Sequence, residues 1–118
     1  MAVGLSIQIE DAREVTIFRI DGRLDAASAP LLEKKLIEQI EGGKTKILLD
    51  FAKVNYLSSA GMRLLLSTTK KLKGDGKGFH LCSVSEEVMG IIKMAGFERI
   101  IQIFPTEQEA LQGFSKNS

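Results

Sequence analysis

A chain of 118 residues with 44% apolar and 26% charged residues has the size of one domain around one core, and it lacks the low-hydrophobicity, high-charge signature of disorder. Sixteen Lys plus Arg against fifteen Asp plus Glu leave a formal charge of +1, which excludes a sequence-wide field for condensing onto nucleic acid or anionic lipid; binding must come from local surfaces. One cysteine excludes a disulfide framework, no apolar stretch approaches the ~20 residues that span a bilayer, and Met1-Ala2-Val3-Gly4 has no signal-peptide pattern, so the expected compartment is the cytosol.

In chain order, Leu5 to Ile9 alternates apolar and polar as a half-buried strand does, and Val15 to Ile20 follows after the polar break Glu10 to Glu14, which suggests an opening hairpin. Asp21-Gly22-Arg23-Leu24-Asp25 reads as a loop into a helix on which Leu32, Leu36 and Ile40 recur at four-residue spacing, stopped by Gly42-Gly43. Lys46 to Phe51 is a nearly continuous apolar run, the pattern of a central strand covered on both faces. From Ser59 a second helix is expected to carry Met62, Leu65, Leu66, Thr69 and Leu72 on one stripe, with Lys70, Lys71 and Lys73 compensating its C-terminal dipole. Phe79 to Cys82 reads as a strand in which Cys82 is a small buried thiol, and Ser83-Val84-Ser85-Glu86 as a capping box for a helix carrying Val88, Ile91, Ile92 and Ala95 and closed by Gly96. Arg99 to Phe104 is a last short strand, and Pro105 to Glu109 opens a terminal helix with Ala110, Leu111 and Phe114 inward and a frayed tail from Ser115 to Ser118. The order β-β-α-β-α-β-α-β-α predicts a single α/β domain over residues 1–118, ordered from about 5 to 114. Its sheet should be mixed, mostly parallel and covered by about four helices.

The most informative segment runs from Asp50 through Tyr56-Leu57-Ser58-Ser59-Ala60-Gly61-Met62-Arg63, a strand passing by a tight connection into a helix. It resembles the STAS family, the domain shared by sulfate transporters and anti-sigma-factor antagonists, whose members carry an Asp at a strand end, then an aromatic, an apolar residue and an Asp/Ser-Ser-Ser/Thr/Ala-Gly step. Gly22-Arg23-Leu24-Asp25 is similar to the Gly-x-Leu-Asp before the family's first helix, and Val88 to Ile101, with Gly96-Phe97, to its third-helix segment. The length suits a stand-alone antagonist without the transporter's membrane part.

The resemblance implies a cytoplasmic regulator of bacterial transcription, monomeric when free, that acts by partner switching. Unphosphorylated, it binds an anti-sigma factor that is itself an ATP-using serine kinase, and so frees the sigma factor; phosphorylation of Ser59 turns it off and a phosphatase resets it. No cofactor or catalytic residue is implied. A serine at a helix start also meets free backbone N–H groups and a dipole favouring negative charge, which tolerates a phosphate. Ser58 stands where the family often has Asp, and Ala60 where a second hydroxyl often follows, so Ser58 is a secondary candidate phosphosite. By itself, without the flanking match, the Ser58-Ser59 pair reads as N-cap serines with no other role. Asp25 matches the acidic residue of the neighbouring loop that engages the kinase, and equally reads as the N-cap of a helix starting near Ala26. Gly61 costs a helix about 1 kcal/mol relative to Ala, which close approach of another chain would explain. Arg63, one turn after Ser59, can steady a phosphate or pair with a partner acid, and reads otherwise as a simply solvated side chain. Asp50 and Asn55 are read as organising the turn.

Other chemistries find little support. The single histidine, His80, lies in a strand with no Gly-x-Ser-x-Gly elbow, no four-ligand zinc spacing exists, and the glycines after Lys73 read as a turn rather than a phosphate loop. The Lys70–Lys77 cluster is broken by Asp75, which leaves nucleic-acid binding without a patch. Two rival readings use the same fold: a scaffold or soluble regulatory subunit of a transport system in which Ser59 is never phosphorylated, and a sensor of a small anion or nucleotide. A serine-kinase anti-sigma factor encoded next to the chain favours the switch; transporter genes favour the rival.

Overall fold

The computed structural model describes residues 4–115. Five strands, β1 (Leu5–Ala12), β2 (Val15–Leu24), β3 (Lys46–Leu57), β4 (Gly78–Cys82) and β5 (Gln102–Phe104), form one sheet in sequential order, with β1 antiparallel to β2 and every later pair parallel. Four helices accompany them: α1 (Ala29–Glu41), α2 (Ser59–Lys71), α3 (Glu86–Met94) and α4 (Glu107–Ser115). The mixed, mostly parallel α/β architecture is the one the sequence predicts.

Each parallel strand is added beside the previous one, and a right-handed crossover then places its helix on the same face every time. Accordingly Leu32 and Leu36 of α1, Met62 and Leu65 of α2, and Val88 and Ile92 of α3 pack with Phe18, Leu49, Phe51 and Leu81 in one large core. Among the described residues, α4 alone covers the other face. Its Ala110 and Phe114 join Val15, Ile17, Leu48 and Cys82 in a smaller cluster. Each Leu or Phe sealed in this way stabilises the fold by about 1.5–3 kcal/mol relative to exposure.

Several boundaries differ from the sequence reading, for local reasons. The polar run Glu10 to Glu14 does not break the hairpin: β1 continues to Ala12 because an edge strand can leave Glu10 and Asp11 in water while its backbone stays paired, and only Arg13 and Glu14 turn. Asp21 to Leu24 is strand rather than loop, and β3 runs six residues beyond Phe51. The β2–β3 register slips by one residue between Arg19/Asp50 and Asp21/Lys53, and again between Gly22/Val54 and Arg23/Tyr56. Gly22 is what the second slip requires: its φ is +123°, and a β-carbon there would overlap the Gly4 carbonyl that receives the Arg23 N–H at 2.8 Å. Asp50 and Asn55 therefore sit in the strand, not in a turn. One Asp50 oxygen accepts the Ala52 N–H at 2.9 Å, and the other pairs with Arg19.

Arg19 also reaches Glu10 at 2.8 Å and Glu107 at 2.6 Å, so one guanidinium ties β1, β3 and the start of α4 to β2. These carboxylates, Glu107 foremost, hold its proton even more firmly than usual, and Arg19 in turn keeps the Glu10 carboxyl below its ordinary range.

The buried stripe of α2 is Gly61, Met62, Leu64, Leu65 and Thr68 with Leu72 just beyond; Leu66 and Thr69 lie at its edge. Ser85, not Ser83, caps α3, accepting the Val88 N–H at 3.2 Å, while Ser83 takes a left-handed conformation at φ 60° where the chain leaves β4. Phe97–Arg99 form a 3-10 turn, so β5 starts only at Gln102. Thr106 caps α4 by accepting the Glu109 N–H, as the box predicts, and Ser115 closes that helix; the rest of the expected tail, like Met1 to Val3, lies outside the described residues.

Candidate functional site

In a parallel sheet the strand ends and the helix starts that follow them converge on one edge, where binding sites form. Here β2 and β3 end side by side, Leu24 opposite Leu57, and the Ser58 N–H crosses to the Leu24 carbonyl at 2.9 Å. That bond puts the Asp25 turn next to the Ser58-Ser59 step. The connection from β3 to α2 is a single residue.

That residue is Ser58, extended at φ −91°, ψ 174°; its Oγ accepts the Gly61 N–H at 3.3 Å and its carbonyl accepts the Met62 N–H at 2.9 Å. A cap of this kind contributes about 1 kcal/mol. Ser59 is the first residue of the helix and is exposed, and its hydroxyl makes no side-chain hydrogen bond among the described residues. The two serines thus differ in what their hydroxyls do: one is half-buried and committed to the helix, the other is free at a helix start that favours negative charge.

Asp25 does not cap a helix at Ala26. α1 starts three residues later, at Ala29, with Pro30 in its first turn, because Asp25 first organises a turn: its Oδ1 accepts the N–H groups of Ala27 at 3.0 Å and Ser28 at 3.1 Å. Ser28, which the sequence reading passed over, completes the turn by donating its hydroxyl to the Arg23 carbonyl at 2.6 Å and accepting the Asp25 N–H at 3.0 Å. These bonds, that from the Ser28 N–H above all, hold the Asp25 carboxyl below its ordinary pKa, so it presents a fixed negative charge near Ser59.

Gly61 turns inward, which corrects the expectation that its small size admits another chain. Its α-carbon lies against β2 and β3 of its own domain, and a β-carbon would come within 2.8 Å of Leu24 Cγ and Leu57 Cδ1 and 2.9 Å of the Leu24 carbonyl oxygen. The glycine lets α2 start directly on the strand ends. Arg63 is exposed and makes no ion pair among the described residues; with Ala26, Pro30, Glu33 and Ala60 it lines a groove of about 300 Å3 between α1 and α2.

Arg23 and Tyr56 stand inside the two sequence motifs, but the motifs assign neither of them a role at the site. They are cross-strand partners beside this edge, with the Arg23 guanidinium carbon 4.2 Å from the centre of the Tyr56 ring. Only the doubly slipped register brings them opposite, and no local pattern in the sequence reports such a slip.

Elsewhere, titratable groups serve packing. His80 is buried against Phe114, ring centroids 3.8 Å apart, with Nδ1 3.0 Å from the Ala110 carbonyl, and burial lowers its pKa. Burial likewise pushes the Cys82 thiol up to about 11, which leaves it a poor nucleophile. Among the described residues no three His, Cys, Asp or Glu side chains cluster as a metal site, and no helix is long and apolar enough to cross a membrane.

The family model of the STAS domain matches residues 6–110. RsfB, an anti-sigma-F factor antagonist of Mycobacterium tuberculosis, is 25% identical over 109 residues, covering 92% of this chain and 88% of its own. Among solved structures, an anti-sigma factor antagonist from Mycobacterium paratuberculosis superposes with a TM-score of 0.86 at 24% identity, covering 94% of each chain. SpoIIAA in its unphosphorylated form gives 0.78 at 24% identity over 94% of this chain and 97% of that one; the phosphorylated form, from Bacillus, gives 0.69 at 24% over 92% and 98%. At these identities the superpositions establish the shared fold. The family match spans nearly the whole described chain, from the first strand into the last helix: this protein belongs to the STAS domain family.

Proposed function

We propose that the chain is an anti-sigma-factor antagonist. Unphosphorylated, it binds an anti-sigma factor through the edge formed by the Asp25 turn and the start of α2, and releases the sigma factor that the anti-sigma factor holds. The anti-sigma factor is also the kinase that phosphorylates Ser59 and ends the interaction, and a phosphatase restores the active form. The setting is the cytoplasm.

The observation that carries this reading is the division of labour between Ser58 and Ser59. A kinase needs a hydroxyl that it can surround and that the fold can spare, and Ser59 is exposed and makes no side-chain hydrogen bond among the described residues, where Ser58 holds the helix cap. Relatives named as anti-sigma factor antagonists over most of their length supply the partner class. Asp25 offers a fixed carboxylate to a basic group on the partner, and Arg63 a free guanidinium to an acidic one.

The test is Ser59→Ala incubated with the cognate anti-sigma factor and ATP, followed by mass mapping. The variant should take up no phosphate yet bind within about threefold of wild type, since one hydroxyl contributes little contact area. Full labelling of Ser59→Ala, at Ser58 or elsewhere, would move the switch off Ser59.

A further inference from the structure

We infer that Arg23 and Tyr56 form a second contact platform of this interface, receiving a surface of the anti-sigma factor that carries a carboxylate opposite Arg23 and a cation opposite Asp25. The inference rests on the antagonist reading and specifies the chemistry of its partner.

Tyr56 is the chain's single tyrosine and remains 37% exposed, three residues before Ser59. It lies on the face of the sheet opposite α1 to α3, at the end of β3. Arg23 is stacked on its ring, and its Nε stands 3.6 Å from the Asp25 Oδ2, too far for a hydrogen bond. The guanidinium has no hydrogen-bond acceptor among the described residues, although its side chain is 54% exposed.

Ring and carboxylate thus orient a guanidinium whose donor fork is unused among the described residues. A side chain already held in place loses less freedom when a partner arrives, and a planar fork of donors matches a carboxylate with two parallel bonds. Asp25 is similarly half-committed: Oδ1 is occupied by the turn, while among the described residues Oδ2 has only the distant Arg23. A cation stacked on an aromatic, beside an anion with a free oxygen, is a two-charge pattern. It suits a protein surface bearing the reverse pattern and opposes a polyanion, whose phosphates would meet Asp25 as well as Arg23. Aromatic and arginine side chains also dominate the binding energy of protein interfaces. Continuity with the Ser59 edge is direct, through the Ser58 N–H bond to Leu24, the residue between Arg23 and Asp25.

The experiment is calorimetric titration of the unphosphorylated chain with the cognate anti-sigma factor, each variant first checked by thermal unfolding. Arg23→Ala and Tyr56→Ala should each weaken binding about tenfold or more, and Tyr56→Phe should stay within about threefold. The double variant should fall little below the weaker single, because the guanidinium depends on the ring. Arg23 is a surface side chain, so Arg23→Ala decides the matter even if Tyr56→Ala folds poorly. Affinity within twofold of wild type for Arg23→Ala, with Ser59→Glu still abolishing binding, would remove the platform and leave the antagonist reading standing. Failure of the wild-type chain to bind any anti-sigma factor would overturn both.

Discussion

Phosphorylated at Ser59, the protein should melt within about 5 °C of the unmodified form and lose at least about a hundredfold in affinity for its anti-sigma factor. The two effects separate because the added charge of about −1.5 to −2 meets different surroundings in the free and bound states. In the free domain the phosphate sits at the start of α2, in water, facing N–H groups without intrahelical acceptors and a dipole worth about 0.3–1 kcal/mol in its favour. The cap survives, because it belongs to Ser58. The nearby Asp25 carboxylate opposes the new charge, but across solvent that repulsion is weak. In the complex the same dianion must be desolvated against a surface fitted to a hydroxyl, and an unpaired charge at an interface costs several kcal/mol, with every ~1.4 kcal/mol a factor of ten. Paired measurements of thermal unfolding and of affinity, on modified and unmodified protein, separate the two terms. A large drop in melting temperature would instead indicate that phosphorylation acts by reorganising the sheet.

Gly61→Ala should destabilise the domain by about 1–2 kcal/mol, and Gly61→Val by about 3 kcal/mol or more, although alanine in place of glycine ordinarily favours a helix by about 1 kcal/mol. The sign reverses because the new β-carbon would lie 2.8 Å from two leucine side-chain carbons and 2.9 Å from the Leu24 carbonyl oxygen. The leucines can yield. The oxygen cannot easily do so, since it accepts the Ser58 N–H that joins β2 to the start of α2. Relieving the overlap pushes the helix start away from the strand ends, so affinity for the anti-sigma factor should fall together with stability. Urea unfolding measures the first effect and calorimetry the second; unchanged or increased stability for Gly61→Ala would show that α2 starts more loosely than described.

The parts of this fold that are written locally could be read from the sequence. The four-residue spacing of Leu32 and Leu36 marks α1, the apolar run Ile47 to Leu49 marks the central strand, and Thr106 with Glu109 marks the start of α4. What depends on partners across the sheet is not legible in the local sequence. Glu10 and Asp11 look like a break until β2 pairs with them, and Asp21 to Leu24 looks like a loop until β3 lies alongside. The site divides in the same way. The Ser58-Ser59 step was visible as a motif, but which hydroxyl caps the helix depends on backbone geometry, and Gly61 gave no sign of facing Leu24 rather than solvent. Arg23 and Tyr56 stand 33 positions apart in the chain and meet only after two slips of register.

On the proposed mechanism this chain releases a sigma factor, and the Ser59 hydroxyl controls the release. Fluorescence anisotropy of a labelled sigma factor bound to the cognate anti-sigma factor reads that release, titrated with the unmodified chain, with Ser59→Ala and with the chain phosphorylated at Ser59. The first two should displace sigma at similar concentrations, and the phosphorylated chain should leave it bound. Displacement by all three would rule out control by Ser59, and displacement by none would rule out release of sigma by this chain.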